Sequence, residues 1–168
     1  MASTGYLTTG AVASTAWSGA VTTTKINTSD DVRAIATGTS YLAATLRNYT
    51  FGLPASATIN GIEVVAEFSS NTIGGVASLQ CSISWNNGSN YTSTKTDTVT
   101  GNADTSKTFG GSADTWGRSW TDSEFADGTF LLKIEGKADG ASVSCRLDYL
   151  TVQVWYTPAG GNTSNFFF

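Results

Sequence analysis

Thr58-Ile59-Asn60-Gly61-Ile62-Glu63-Val64-Val65-Ala66-Glu67-Phe68 is the stretch that decides the fold. Ile62, Val64, Ala66 and Phe68 share one face of an extended chain and Glu63 and Glu67 the other, the two-residue period of a strand with one wet side. Just upstream, in Phe51-Gly52-Leu53-Pro54, the proline ring pushes Leu53 into an extended conformation. The same alternation recurs downstream. Leu79, Cys81, Ile83 and Trp85 alternate with Gln80, Ser82 and Ser84, and residues 129–135 place Phe130, Leu132 and Ile134 on one side. Residues 142–156 read as a long final strand with a change of register. Val143, Cys145 and Leu147 form one apolar set and Leu150, Val152 and Val154 another of opposite parity, so a β-bulge or a crossing between sheets is required near Asp148-Tyr149.

Turn chemistry joins these strands. Asn86-Asn87-Gly88-Ser89 contains the Asn-Gly pair suited to a type I′ turn, which predicts a hairpin between residues 76–85 and 91–100. The returning strand is almost wholly polar and belongs at a sheet edge or against another subunit. Asp30-Asp31 makes a turn before the short strand Val32-Arg33-Ala34-Ile35-Ala36, and residues 41–50 carry a modest strand signal around Leu42, Ala44 and Leu46. Residues 101–111 read as loop, with Phe109 as an anchor. Thr121-Asp122-Ser123-Glu124 has capping-box spacing and predicts a single helical turn leading to Phe125.

These readings define an all-β protein, an antiparallel two-sheet β-sandwich of jelly-roll-like form. Its expected core is Ile59, Ile62, Val64, Phe68, Leu79, Ile83, Trp85, Phe130, Leu132, Ile134, Leu150, Val152 and Val154. The expected organisation is an N-terminal arm or edge strand over residues 1–25, a sandwich domain over 26–158, and a Gly-rich linker with an aromatic tail over 159–168.

Composition agrees and narrows the function classes. The chain has 168 residues, of which 13% are charged and 40% hydrophobic, a mix suited to strands and turns. Its formal charge is −4 and its Lys and Arg are scattered singly, so no basic stripe exists for a phosphate backbone and nucleic acid is not an expected partner. No apolar run approaches the ~20 residues of a membrane helix, and the N-terminus shows no basic and apolar signal-peptide pattern. The expectation is a protein made in a cytoplasm, without a membrane partner. Cys81 and Cys145 sit inside strand alternation and are expected as free, buried thiols.

The chain contains no histidine, which removes His-based triads, Cys-His dyads and His-ligated metals together. Glu63, Glu67, Asp122, Glu124 and Asp127 are the carboxylates that a glycosidase pair would draw on, and the plainer reading places them on solvated strand faces and turns. Calcium is the one metal worth weighing, with oxygen donors in Asn102-Ala103-Asp104 and Asp122-Ser123-Glu124. Asx-turn chemistry accounts for those residues equally well, so neither a metal site nor a cofactor is expected, and no enzyme activity. Trp17, Trp116 and Trp120 are candidate carbohydrate platforms, although Gly117 beside Trp116 points to packing.

Three stretches together resemble small β-sandwich proteins of tailed-bacteriophage virions, decoration or tail-associated components. They are Asp30-Asp31-Val32-Arg33-Ala34; Phe51-Gly52-Leu53-Pro54 with Thr58-Ile59-Asn60-Gly61-Ile62-Glu63-Val64; and Trp116-Gly117-Arg118-Ser119-Trp120, closed by Asp148-Tyr149-Leu150-Thr151-Val152. The resemblance spans residues 30–157 and implies a structural protein located in the virion, capsid-decorating or otherwise on its surface, bound to other virion proteins and self-associating into a homo-oligomer. A tail-fibre or adhesin-like module that binds cell-surface glycan is the alternative. Partner contacts are expected at the two ends, at Tyr6 and Leu7 and at Phe166, Phe167 and Phe168. Three consecutive aromatics form the kind of apolar patch that soluble monomers keep out of water, and the arm is suited to augment a neighbour's sheet.

Overall fold

The computed structural model describes residues 1–160. Its strands are β1 (Ala2–Ser3), β2 (Ala11–Thr15), β3 (Ala34–Thr37), β4 (Leu42–Arg47), β5 (Thr58–Ser70), β6 (Val76–Ser84), β7 (Lys95–Thr100), β8 (Thr105–Gly110), β9 (Leu131–Ala138) and β10 (Ser144–Thr157). The helical content is one turn, α1 (Thr23–Ile26), and one 3-10 turn (Asp122–Phe125). Among the described residues, no helix is long and apolar enough to cross a membrane.

Two antiparallel sheets pack face to face in a jelly-roll-like sandwich. Sheet A has the order β1-β10-β5-β8, with β3 also on β10, and sheet B the order β2-β4-β9-β6-β7. Of the pairs of strands consecutive in sequence, β6 and β7 alone are sheet neighbours; every other connection crosses between the sheets. The apolar faces thus come from segments distant in sequence, and the alternation read from residues 58–68 supplies one of them. Every residue expected in the core is buried except Trp85, which is half-buried and packs on the core's rim.

The expected register change in the final strand is a bulge at Asp148. Leu147 pairs with Phe68 and Tyr149 with Glu67, so Asp148 has no opposite number on β5. The far side of β10 is lined by four short stretches rather than one strand. Ser144–Leu147 pair with β3, Tyr149 with Asn27, Val152 with Leu7, and Trp155 and Tyr156 with β1.

Two expectations are corrected. Residues 105–110 are not loop but the edge strand β8, which places Phe109 opposite Val64 in the core. The β6–β7 hairpin exists, yet its ladder closes at Cys81 and Lys95 instead of at a two-residue turn. Asn87 and Gly88 do take positive φ. Ser84 Oγ accepts from the amides of Asn86 (3.3 Å) and Gly88 (2.8 Å), so a side chain holds a wider loop. The N-terminal residues take the edge-strand form of the expectation, with β1 and Leu7 on β10 and β2 as an outer strand on β4. Their two anchors, Trp17 and Val21, are buried and hold them there.

Candidate functional site

Trp116-Gly117-Arg118-Ser119-Trp120 forms a knot against sheet A. The Trp116 indole N–H donates to the carbonyl of Ile62 (2.9 Å) and that of Trp120 to the carbonyl of Thr115 (2.7 Å). The Arg118 guanidinium lies 4.1 Å from the Trp85 ring centre and 4.3 Å from that of Trp120. It also meets both Glu124 oxygens at 3.2 and 2.8 Å. Glu124 in turn accepts from the Thr121 amide at 2.8 Å, the reach-back contact that the capping-box spacing anticipates. Trp17, Trp116 and Trp120 are all buried, so little of each indole is offered to a sugar ring, although Trp120 lines a surface concavity with Thr58, Thr115, Gly117 and Arg118.

Of the carboxylates that a glycosidase pair would draw on, Glu63, Glu124 and Asp127 make local hydrogen bonds. Glu63 accepts from the Tyr6 hydroxyl at 2.7 Å, and Asp127 from the amide (3.2 Å) and hydroxyl (3.3 Å) of Thr50. Asp122 and Glu124 belong to the 3-10 turn. Tyr6 is exposed, while Leu7 is partly buried and bridged to Val152. Phe166, Phe167 and Phe168 lie outside the described residues. Both cysteines are free and buried.

Beside the bulge lies a strongly acidic concavity. Between Asn27, paired with Tyr149, and Ala34, paired with Leu147, residues 28–33 loop outwards opposite Asp148 alone. With the β7–β8 connection, that loop walls a basin lined by Asp30, Asp31, Glu67, Asp104, Asp148 and Arg33, among others. Five carboxylates against one guanidinium leave a negative excess equal to the formal charge of the whole chain, −4. Arg33 bridges the rim. Its Nε donates to Asp104 at 3.0 and 3.2 Å, its Nη2 pairs with Asp31 and Asp104, and its Nη1 donates to the Asp31 carbonyl at 3.2 Å. Arg146 ties the wall from behind, donating to the carbonyls of Ser70 (2.6 Å) and Asn102 (3.0 Å).

Asp148 forms the floor, 1% exposed, and its Oδ1 has no hydrogen-bond partner among the described residues. Burial, together with the charges of Asp104 and Glu67, pushes its carboxyl above the ordinary range against the pull of the Asp31 amide and Arg33. Asp104 moves the other way. Burial alone would raise it, but the hydrogen bonds from Arg33 and Ser69 and the charges of Arg33 and Arg146 hold it low. Sequence reading had picked out Asp104 through Asn102-Ala103-Asp104 and the bulge through its register shift. It could not bring the two together with residues 28–33, because no local pattern encodes that convergence.

No family model matches this chain, and no curated protein matches it. Among solved structures it is similar to one described as CpGH89CBM32-6 produced by Clostridium perfringens, 8% identical, over 86% of this chain and 91% of that one, with a TM-score of 0.39. A likeness of that degree carries no argument about what this chain binds.

Proposed function

We propose that this chain is a non-catalytic virion structural protein, a capsid-decorating or other virion-surface subunit that joins its neighbours through β2, one of the two outer strands of sheet B among the described residues. The observation that carries the reading is β2. It is the last strand of its sheet, paired on one side to β4, and its sequence Ala11-Val12-Ala13-Ser14-Thr15 bears no charge. Edge strands of soluble proteins are commonly guarded by Lys, Pro or inward charges, because unpaired N–H and C=O groups are a template for another strand. This one carries only a bulge between Val12 and Ser14, and Ala13, Ser14 and Thr15 are exposed. The resemblance of residues 30–157 to virion β-sandwich proteins supports the same reading, as does the burial of the tryptophans that a sugar-binding module would display.

Labelling purified particles with antibody against this chain, and titrating the purified chain onto particles that lack it, tests the proposal. Ala13→Lys places a charge on the edge without touching the core, and it is expected to weaken particle binding at least tenfold while leaving the circular dichroism spectrum unchanged. Particles free of the chain, or full binding by that variant, would overturn it.

A further inference from the structure

Asp148 poses a problem of electrostatics that the protein's own groups leave unsolved. A buried carboxylate oxygen without a donor costs free energy unless the group takes up a proton or a cation. Neither nearby arginine reaches it. Arg33 directs Nε, Nη1 and Nη2 to Asp31 and Asp104, Arg146 directs Nη2 to Ser69, Ser70 and Asn102, and no hydrogen bond from either, Arg146 Nε included, meets Asp148 Oδ1. The charged groups that do face it from β5 and the β7–β8 connection, Glu67 and Asp104, are both acidic.

One carboxylate oxygen from each of Asp31, Asp104 and Asp148 lies within 4.8 Å of the others. Oxygens bound to one calcium ion at about 2.3–2.6 Å can stand that far apart or closer, and the flexible shell of about 6–8 oxygens that calcium takes suits donors from separate segments, whereas magnesium demands a near-ideal octahedron. Asp148 comes from a strand bulge, Asp31 from the loop opposite it and Asp104 from the β7–β8 connection, so an ion there would join three separate segments at the rim of sheet A. Ser29, Glu67 and Asn102 line the same basin and bring further oxygen atoms to it. The four-charge excess leaves room for a divalent ion in addition to Arg33.

We infer that Asp31, Asp104 and Asp148 form a calcium-binding site, with the unpartnered Asp148 oxygen as its anchor. Calcium answers the orphaned oxygen and the local excess of negative charge together. It acts as a staple for residues 28–33, a role independent of what β2 binds.

The test is thermal melting and calorimetric titration of the full chain with calcium chloride, magnesium chloride or EDTA. At a calcium concentration about 100-fold above Kd, the melting temperature should rise by about 5–10 °C over that in EDTA. Magnesium at the same concentration should give a clearly smaller shift. Asp148→Asn should melt in EDTA at or above the wild-type temperature, since it removes the unpaired charge, and should lose the calcium shift. Asp31→Asn, at an exposed side chain whose replacement spares the fold, should weaken calcium binding at least tenfold. A wild-type chain indifferent to calcium, an equal response to magnesium, or full calcium binding by either variant would overturn the inference.

Discussion

The indole nitrogen of Trp116 donates to the main-chain carbonyl of Ile62, 54 positions away, at 2.9 Å. That carbonyl also accepts from the Gly111 amide (3.1 Å), while the Ile62 amide donates to the carbonyl of Asp114 (2.9 Å). Residues 111–116 thereby take over the hydrogen bonding of β5 just where the ladder with β8 ends at Glu63 and Gly110. Trp116 adopts φ of 55° to make the contact. The Ile59-Asn60-Gly61-Ile62 and Trp-Gly-x-x-Trp stretches are therefore the two halves of one joint.

That joint closes only because Gly61 has no side chain. A Cβ there would stand 2.2 Å from the Gly111 carbonyl oxygen, with the backbone of Ser112 at 2.5 Å. Gly61→Ala is expected to destabilise the fold by about 1–3 kcal/mol, the usual cost of overpacking. Trp116→Phe, which keeps a six-membered ring but loses the pyrrole ring and its donor, should cost at least about 1–2 kcal/mol, from the lost hydrogen bond and the small cavity together. Urea unfolding measures both, and wild-type stability in Gly61→Ala would show that the loop is free to move away.

Arg118 owes its place to two aromatic faces and one carboxylate, so its replacement by lysine is not conservative. A guanidinium stacks in the 4.1 and 4.3 Å gaps and meets both Glu124 oxygens, whereas an ammonium makes one such contact. Arg118→Lys is expected to lower stability by about 1–2 kcal/mol. A change in Trp fluorescence should accompany it, because the Trp85 and Trp120 rings, 6.4 Å apart, would lose the cation beside them.

How much of this was legible in the sequence follows from where the signal resides. Strands β5, β6, β9 and β10 announce themselves because alternation is a property of consecutive residues, and even the bulge shows as a change of parity around Asp148. Strand β8 was hidden because Thr105-Ser106-Lys107-Thr108-Phe109-Gly110 carries one buried residue, Phe109, and an edge strand needs no more. The fate of the tryptophans depended on partners such as the Ile62 carbonyl, 54 positions away. The basin required three segments to meet, and that is set by topology.

Acid should weaken the fold through Asp104, Asp114 and Glu124. Burial opposes ionisation of all three, but Arg33 at Asp104, Lys95 at Asp114 and Arg118 at Glu124 hold their carboxyls below the ordinary 3.8 and 4.5. A depressed carboxyl stabilises the fold above its unfolded value, and that stability is lost as pH falls through the lower folded value. Asp148, raised, has the opposite sign: its ionisation weakens the fold. That cost is relieved as pH falls from its raised value towards the ordinary 3.8, before most of the loss from the depressed carboxyls. Melting temperature followed from pH 7 to pH 3 should hold above about pH 4.5 and fall beneath it. In Glu124→Gln the fall should be shallower, and an unchanged slope would remove the Arg118–Glu124 pair from the account.

The two thiols should be silent in the native protein. Burial pushes the Cys145 thiol up to about 12, and burial together with the charge of Glu135 pushes Cys81 higher still. The thiolate is the reactive species, so a thiol-specific reagent at pH 8 should label neither cysteine until denaturant is added and both afterwards. Rapid labelling without denaturant would mean that sheet A or sheet B opens locally.

The aromatic cluster offers a test in which one substitution should cost much and its neighbour nothing. Phe130 packs at 5.7 Å from the Tyr49 ring, 4.9 Å from Phe51 and 5.4 Å from Phe125, and is 1% exposed. Phe130→Ala should therefore remove about 3–5 kcal/mol, the sum of lost transfer energy and the cavity left behind. Tyr49 sits in the same cluster, but its hydroxyl is buried without a hydrogen-bond partner, and burial holds it protonated far above any ordinary pH. Deleting an unsatisfied donor removes its desolvation penalty and leaves the ring in place. Tyr49→Phe is thus expected to leave stability unchanged or to raise it by up to about 1 kcal/mol. The nearest candidate acceptor is Thr9, whose hydroxyl already donates to the carbonyls of Ala11 (2.9 Å) and Arg47 (2.7 Å) and retains lone pairs. A clear loss of stability in Tyr49→Phe, abolished when Thr9 is replaced by Val, would show that the phenol donates to Thr9 and that the cluster carries a polar tether to the arm.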